Sequence, residues 1–429
     1  MPDGLTTVLY FFVALFPLVL VHELGHFLLA KWGGVRVEEF GIGFPPRAVK
    51  LFRFGETDYT LNWLPIGGFV RLSGEDDPTI PGALAAASKR VRTAVLLAGP
   101  VFNFLFAALL LGVAAVVWGT PEPVLSDDAV AIVSVQSASP ADAAGVLPGD
   151  VIVAIDGQPL GTLAPEADPE PGTTAAMQAL KDATRGSDGQ ALALTILRGI
   201  EGGQAAMVDA PAALALESAA LGGFPAQRVA ADAEGFRSDD LVIAPAEVAA
   251  GERAPSAGEA LAVVRGAVSE AAITVTPSDG LIGIGIQPLT ANVSTSLAAA
   301  PWYGLRQTWR VMDLMVTGLA DMLTGRQATE LAGPVGIARM GRQAGEQGMG
   351  TLIAFMALLS VNLGVINLLP IPGLDGGRLI FVFLEAVRGR RIEPTREAVV
   401  HFVGIALVIG LMLVITAIEV IRPVMLGAP

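Results

Sequence analysis

The chain has no cysteine, which excludes disulfides, thiol catalysis and cysteine-bound metal. Histidine is scarce too, with three in 429 residues, so a metal site must be built from those and from Asp or Glu. Charged residues make up only 16% against 52% hydrophobic, too apolar for an ordinary soluble protein. Lys and Arg number 27 against 41 Asp and Glu, a net charge of −14 that argues against nucleic acid as a partner. The acidic excess lies between Gly119 and Gly350. Basic side chains collect in Lys31–Arg92 and in Arg388, Arg390, Arg391 and Arg396.

What the chain does have is apolar length. Leu5–Ala30, Val91–Trp118, Thr351–Leu369 and Ala398–Ile421 can each cross roughly 30 Å of hydrocarbon. The positive-inside rule puts the two basic loops in the cytoplasm, and parity sends both termini and the acidic region to the other side. The expected fold is an α-helical polytopic membrane protein with four transmembrane helices and an inserted extracytoplasmic region. The expected segments are 1–32, 33–90 (a membrane-associated β-hairpin loop), 91–118, 129–200, 201–290, 300–325, 351–377 and 398–422. A cleaved signal peptide does not fit the first stretch, which carries Asp3 where a basic residue belongs and is too long for an apolar core.

Within the acidic region, Ala129–Val135, Val151–Ile155 and Ala191–Leu197 read as strands and Thr173–Thr184 as a helix. The run Ser139-Pro140-Ala141, Ala144-Gly145, Pro148-Gly149-Asp150-Val151-Ile152, Ile155-Asp156-Gly157 resembles the PDZ family in its circularly permuted bacterial form. The inserted region is therefore expected to be a PDZ-like α/β domain. Residues 201–290 echo the pattern faintly at Glu234–Ile243, followed by an expected helix Ala257–Val268 and strand Ala272–Thr276. That makes 201–290 either a degenerate second PDZ-like domain or an insertion in the first. In 300–325, Trp302, Leu305, Trp309, Met312, Val316, Leu319 and Leu323 recur at helical spacing, predicting an amphipathic interfacial helix.

His22-Glu23-Leu24-Gly25-His26 matches H-E-x-x-H, and chance produces it on the order of once in a thousand chains this poor in histidine. On a helix, His22 and His26 share a face and can bind one Zn²⁺, and Glu23 is near enough to take a proton from a bound water. Such groups in a membrane span mark a functional site by default. Catalytic zinc wants a third protein ligand. No other histidine lies nearby, and His401 reads as a packing or hydrogen-bonding residue. A carboxylate is the better candidate, and Asp375, in Asn367-Leu368-Leu369-Pro370-Ile371-Pro372-Gly373-Leu374-Asp375-Gly376-Gly377, is the one acid beside the third apolar stretch. Its Pro/Gly setting breaks the helix, which at membrane depth is tolerated only in a cavity or inside protein.

H-E-x-x-H in the first span with N-x-x-P-x-P-x-L-D-G in a later one resembles the site-2 protease family of intramembrane zinc metalloproteases. Leu64–Glu75, Ala98–Phe104 and Leu331–Ile337 are similar to its bacterial branch, the regulators of sigma-E type. Arg378 stands where members often carry His. The resemblance implies zinc held by His22, His26 and Asp375, with Glu23 as general base and Asn367 on the substrate or oxyanion. It further implies single-span membrane substrates such as anti-sigma factors and remnant signal peptides, already trimmed by an upstream site-1-type protease. The setting implied is a bacterial inner membrane, with the PDZ-like region outside and the catalytic end of the first helix toward the cytoplasm. The competing reading is a catalytically silent PDZ-containing membrane scaffold.

Overall fold

The computed structural model describes residues 3–425 except 76, 78, 125–127, 164–172, 201–203, 222–223, 267, 294, 325–332 and 391. Arg391, residue 325, the start of Leu331–Ile337 and stretches of the expected 129–200 and 201–290 segments lie outside the described residues. The chain divides into two units, one of residues 1–118 with 295–429 and one of residues 119–294.

The first unit contains α1 (Asp3–Trp32), β1 (Val37–Phe54), β2 (Thr57–Leu72), α2 (Lys89–Val117), α3 (Ala300–Leu323), α4 (Pro334–Gln347), α5 (Met349–Leu368), α6 (Asp375–Arg388) and α7 (Pro394–Met425). Among the described residues, α1, α2, α5 and α7 are long and apolar enough to cross a membrane. Helix α2 starts where the Ser88 hydroxyl accepts the Val91 N–H, satisfying an otherwise unpaired donor. It is the hub, packing on α1, α3 and α5. Small residues set these crossings. A Cβ on Gly25 would lie 2.5 Å from the Ala98 carbonyl oxygen, and one on Gly112 would lie 2.9 Å from that of Ala300. Without a solvent force pressing helices together in lipid, such backbone contact supplies the packing.

In the expected segment 351–377, α5 ends at Leu368 and α6 opens at Asp375, with the Pro/Gly run between them. Pro370 and Pro372 lack the N–H that would continue α5, and Gly373 turns the chain with φ +98°. Helix α3 forms over the expected stretch, and Trp302, Leu305, Trp309 and Val316 of its apolar stripe are exposed. It packs on α2 through another face, with Gly304, Thr308, Val311 and Met315, because a Cβ-free Gly304 lets its backbone meet Ala108.

In the β1–β2 sheet, Glu39–Ile42 lies between Asp58–Leu61 on one side and Gly68–Arg71 on the other, and Arg47–Phe54 pairs back on Thr57–Asn62. Gly68–Leu72 is thus an edge. Glu39 is buried between strands and accepts from Arg47 (2.6 and 3.0 Å), Arg71 (2.6 Å) and Thr60 (2.8 Å). Burial alone would raise its pKa, but the hydrogen bonds of Arg47 and Thr60 and the charges of Arg71 and Arg47 hold it below the ordinary value. A carboxyl whose pKa is depressed on folding stabilises above the unfolded value of about 4.3 and loses that contribution as pH falls through the folded one. Glu39→Gln is therefore expected to loosen this sheet by about 1.5–3 kcal/mol at neutral pH. Hydrogen-exchange protection over Thr57–Leu72 measures this. Wild type should show the same loss only below the ordinary Glu range, and unchanged protection in the variant would refute the assignment.

The second unit contains two sheets. One runs in the order Ser269–Val275, Leu192–Arg198, Val151–Ile155, Val130–Val135, Ile284–Pro288, with Gln158–Pro159 on Val151–Ile155. The other runs Thr120–Pro123, Thr290–Val293, Ala205–Asp209, Ala260–Val264, Leu241–Ala244, Phe224–Val229, Leu216–Leu221. Residues 205–264 thus enter the chain between two neighbouring strands of the first sheet. Strand alternation divides the core. Ala129, Ala131, Val151 and Val153 pack toward Leu241, Ile243, Ala262 and Val264 of the other sheet. Val130, Ile132 and Ile152 face the other way, onto Ala176, Met177 and Leu180 of the helix Ala175–Gly186. The helix expected at Ala257–Val268 is instead the strand Ala260–Val264. Gly258, at φ +78°, turns the chain ahead of it, and Leu261–Val264 are buried in succession, which suits a strand covered on both faces.

Candidate metal centre

His22, Glu23 and His26 sit in the C-terminal half of α1, and Asp375 is the first residue of α6. His22 Nε2 lies 3.2 Å from His26 Nε2 and 3.2 Å from Asp375 Oδ2, and His26 Nε2 lies 3.3 Å from the same oxygen. Both histidines are buried and Asp375 nearly so. A tetrahedral ion bound at 2.0–2.1 Å separates its ligand atoms by about 3.3 Å. The three donors already stand at that spacing. Asp375 Oδ2 is buried against the two imidazole nitrogens with no other hydrogen-bond partner among the described residues, a setting that a cation would satisfy.

The surroundings fix the donors. His26 Nδ1 donates to the Val95 carbonyl at 2.8 Å, so its Nε2 is left as a lone pair facing the site. His22 Nδ1 lies 3.1 Å from the Asn103 side-chain amide. A Cβ on Gly99 would overlap His26 Nε2 and come within 2.7 Å of His22 Nε2, so only glycine leaves this wall of the site open. Asp375 is placed by the broken segment before it. Cβ atoms on Gly376 or Gly377 would overlap the carbonyls of Leu369 and Ile371. The Gly373 N–H donates to His401 Nδ1 at 2.8 Å. His401 is thus a hydrogen-bonding residue apart from the trio, as the sequence reading has it.

Two ion pairs tie α6 down. Arg92 donates to Glu385 at 2.5 Å and Arg378 to Glu75 at 2.6 Å, so the arginine that departs from the family pattern has its own acid. Glu23 is half-buried, and its Oε2 accepts the Val70 N–H at 3.1 Å, bringing the edge Gly68–Leu72 against α1. Asn367 lies in the last turn of α5, half-buried, with no side-chain hydrogen bond among the described residues. Sequence reasoning missed Asn103, Gly99 and the Val95 carbonyl as parts of the site. The first two lie within the quoted Ala98–Phe104 stretch, but a backbone carbonyl has no signature in residue type.

Comparison with known proteins decides the family: the model for peptidase family M50 matches residues 10–411. The chain belongs to peptidase family M50. This M50 peptidase is 32% identical to the zinc metalloprotease RasP of Geobacillus kaustophilus, over 97% of its own length and 98% of the relative's. It is 30% identical to the regulator of sigma-W protease RasP of Bacillus subtilis, over 96% and 97%. The RasP of Oceanobacillus iheyensis is 27% identical over 96% and 98%. The M50 peptidase is accordingly a zinc metalloprotease of the site-2 type. Bacterial relatives matching nearly end to end, with four long apolar helices, make it a bacterial membrane protein.

Proposed function

We propose that this peptidase cleaves single-span membrane proteins within the bilayer, using His22, His26 and Asp375 to hold zinc and Glu23 as general base. The observation that carries the reading is the tetrahedral spacing of the three donors with Glu23 one residue from His22. Zinc, when bound, activates water and polarises the scissile carbonyl. Glu23 takes the proton of the attacking water and returns it to the leaving amine. The Val70 N–H holds Oε2 of the carboxylate in place and leaves Oε1 to take the proton. Asn367, in the last turn of α5, holds the substrate backbone or its developing oxyanion.

A helical substrate must unwind before it can be cut, because its carbonyls are all hydrogen-bonded. The edge strand Gly68–Leu72 receives the unwound segment as an added strand, next to Glu23. The basic loops set the catalytic end of α1 toward the cytoplasm of an inner membrane and residues 119–294 outside. On this reading the outer unit is PDZ-like and admits substrates already shortened by an upstream protease. The sigma-W regulator among the relatives makes anti-sigma-factor-like proteins the substrate class to try first, ahead of the remnant signal peptides that the family resemblance implies.

The test is cleavage of a single-span substrate by purified protein in detergent, with and without a bulky outer domain on the substrate and before and after zinc chelation. Cleavage of the trimmed form that is lost on chelation and regained with zinc is expected. Zinc-loaded protein that cuts neither form would overturn the reading.

A further inference from the structure

Each imidazole that offers Nε2 to the site needs a hydrogen-bond acceptor on its other nitrogen, to keep the proton there. For His26 that acceptor is the Val95 carbonyl. Among the described residues, His22 Nδ1 meets no backbone carbonyl; its partner is the Asn103 side chain. Asn103 is fully buried. Its backbone carbonyl accepts the Ser360 hydroxyl at 2.8 Å, which ties this point of α2 to α5, the helix that leads into the Asp375 segment.

The amide has two chemically different ends. With its nitrogen toward Nδ1, as in this structure, Asn103 donates, and the single proton of a neutral His22 must sit on Nε2, between His26 and Asp375. Asn103 Oδ1 is then buried with no partner, a costly state for an amide oxygen. Turning the amide by half a revolution exchanges the two ends. Oδ1 then accepts a proton from Nδ1, and Nε2 is left as a lone pair aimed at the site. Asparagine can do either without moving its backbone. Leucine of similar size can do neither.

We propose that Asn103 is a positioning residue for the metal centre: its side-chain oxygen accepts the His22 Nδ1 proton and so fixes the tautomer that binds zinc through Nε2. The inference rests on the ligand assignment under Proposed function. It gives Asn103 the role toward His22 that a main-chain carbonyl plays toward His26.

The test is the zinc affinity of the full-length protein in detergent, by competition with a chelator, for wild type, Asn103→Leu, Asn103→Asp and Ser360→Ala. Asn103→Leu should bind zinc about 10–100-fold more weakly, the usual effect of removing such a partner. Asn103→Asp, which can only accept, should stay within about threefold of wild type or bind more tightly. Ser360→Ala disturbs the same helix contact without touching the imidazole and should leave the affinity unchanged. If Asn103→Leu fails to fold, Asn103→Ala takes its place, since it only removes atoms. Unchanged affinity in the Leu or Ala variant, or an equal loss in the Asp variant, would overturn the proposal. Wild type that binds no zinc would instead overturn the ligand assignment beneath it.

Discussion

Glu23→Gln is expected to lower the cleavage rate by about 10²–10⁴-fold while zinc remains bound, the range that loss of a positioned general base produces. The substitution preserves shape, and the glutamine oxygen can still accept the Val70 N–H that Glu23 Oε2 accepts now. The contact between α1 and the edge of β2 therefore survives, and so does the fold. Glu23 is not among the three donors that converge, so the ligand set is untouched. What disappears is a group able to take a proton and return it. Cleavage of a single-span substrate and metal content, measured on the same preparations, separate the two roles. Equal cleavage by both proteins with zinc retained would remove Glu23 from the chemistry. Loss of zinc together with activity would make it part of the metal site. If neither protein cleaves although both hold zinc, the membrane-scaffold reading regains ground.

Gly99→Ala should be at least as damaging, for a steric reason. The added methyl would overlap His26 Nε2 and crowd His22 Nε2, two of the three donors. Helix α2 cannot retreat freely, because its other sides are in close contact with α3 at Gly112 and with α5 at Gly364. The imidazoles must then leave their mutual spacing. Displacement of catalytic groups by about 1 Å costs on the order of 10²-fold in rate, and a metal site loses affinity with it. Both cleavage and zinc content should fall, unlike the Glu23→Gln result. Gly318→Ala, on α3 with nothing within 4 Å of the new methyl, is the matched control and should behave as wild type. A Gly99→Ala protein with normal zinc content and rate would mean that the site is more open than these distances allow.

The parts of the protein that were legible beforehand share a physical property: each is written in short range along the chain. Long apolar runs must span or be buried, so the four apolar helices could be located to within a few residues. H-E-x-x-H needs only one helical turn to bring two imidazoles onto a face, and together with the later L-D-G motif it pointed to the M50 family and to zinc. The strands Val130–Val135 and Val151–Ile155 followed from alternation and turn residues.

Where side-chain character alone was the guide, it misled. The Ala-rich stretch Ala257–Val268 has helical composition, yet Ala260–Val264 is a strand because neighbouring strands pair with both of its edges and apolar clusters bury both of its faces. On α3, the face that packs on α2 is the one carrying Gly304, and the stripe of large apolar residues gave no sign of it. Between helices in lipid, close backbone approach outweighs side-chain hydrophobicity.

By itself, then, the sequence determined the family, the metal and the apolar helices, since these depend on residue type and local period. Only the tertiary structure decided that Asp375, 349 positions beyond His26, completes a three-donor set at tetrahedral spacing. It alone placed Val70 on Glu23, Asn103 on His22, and Gly99 where a methyl could not fit. Those facts arise from helices crossing at backbone contact, and distances across a crossing are set by both partners together.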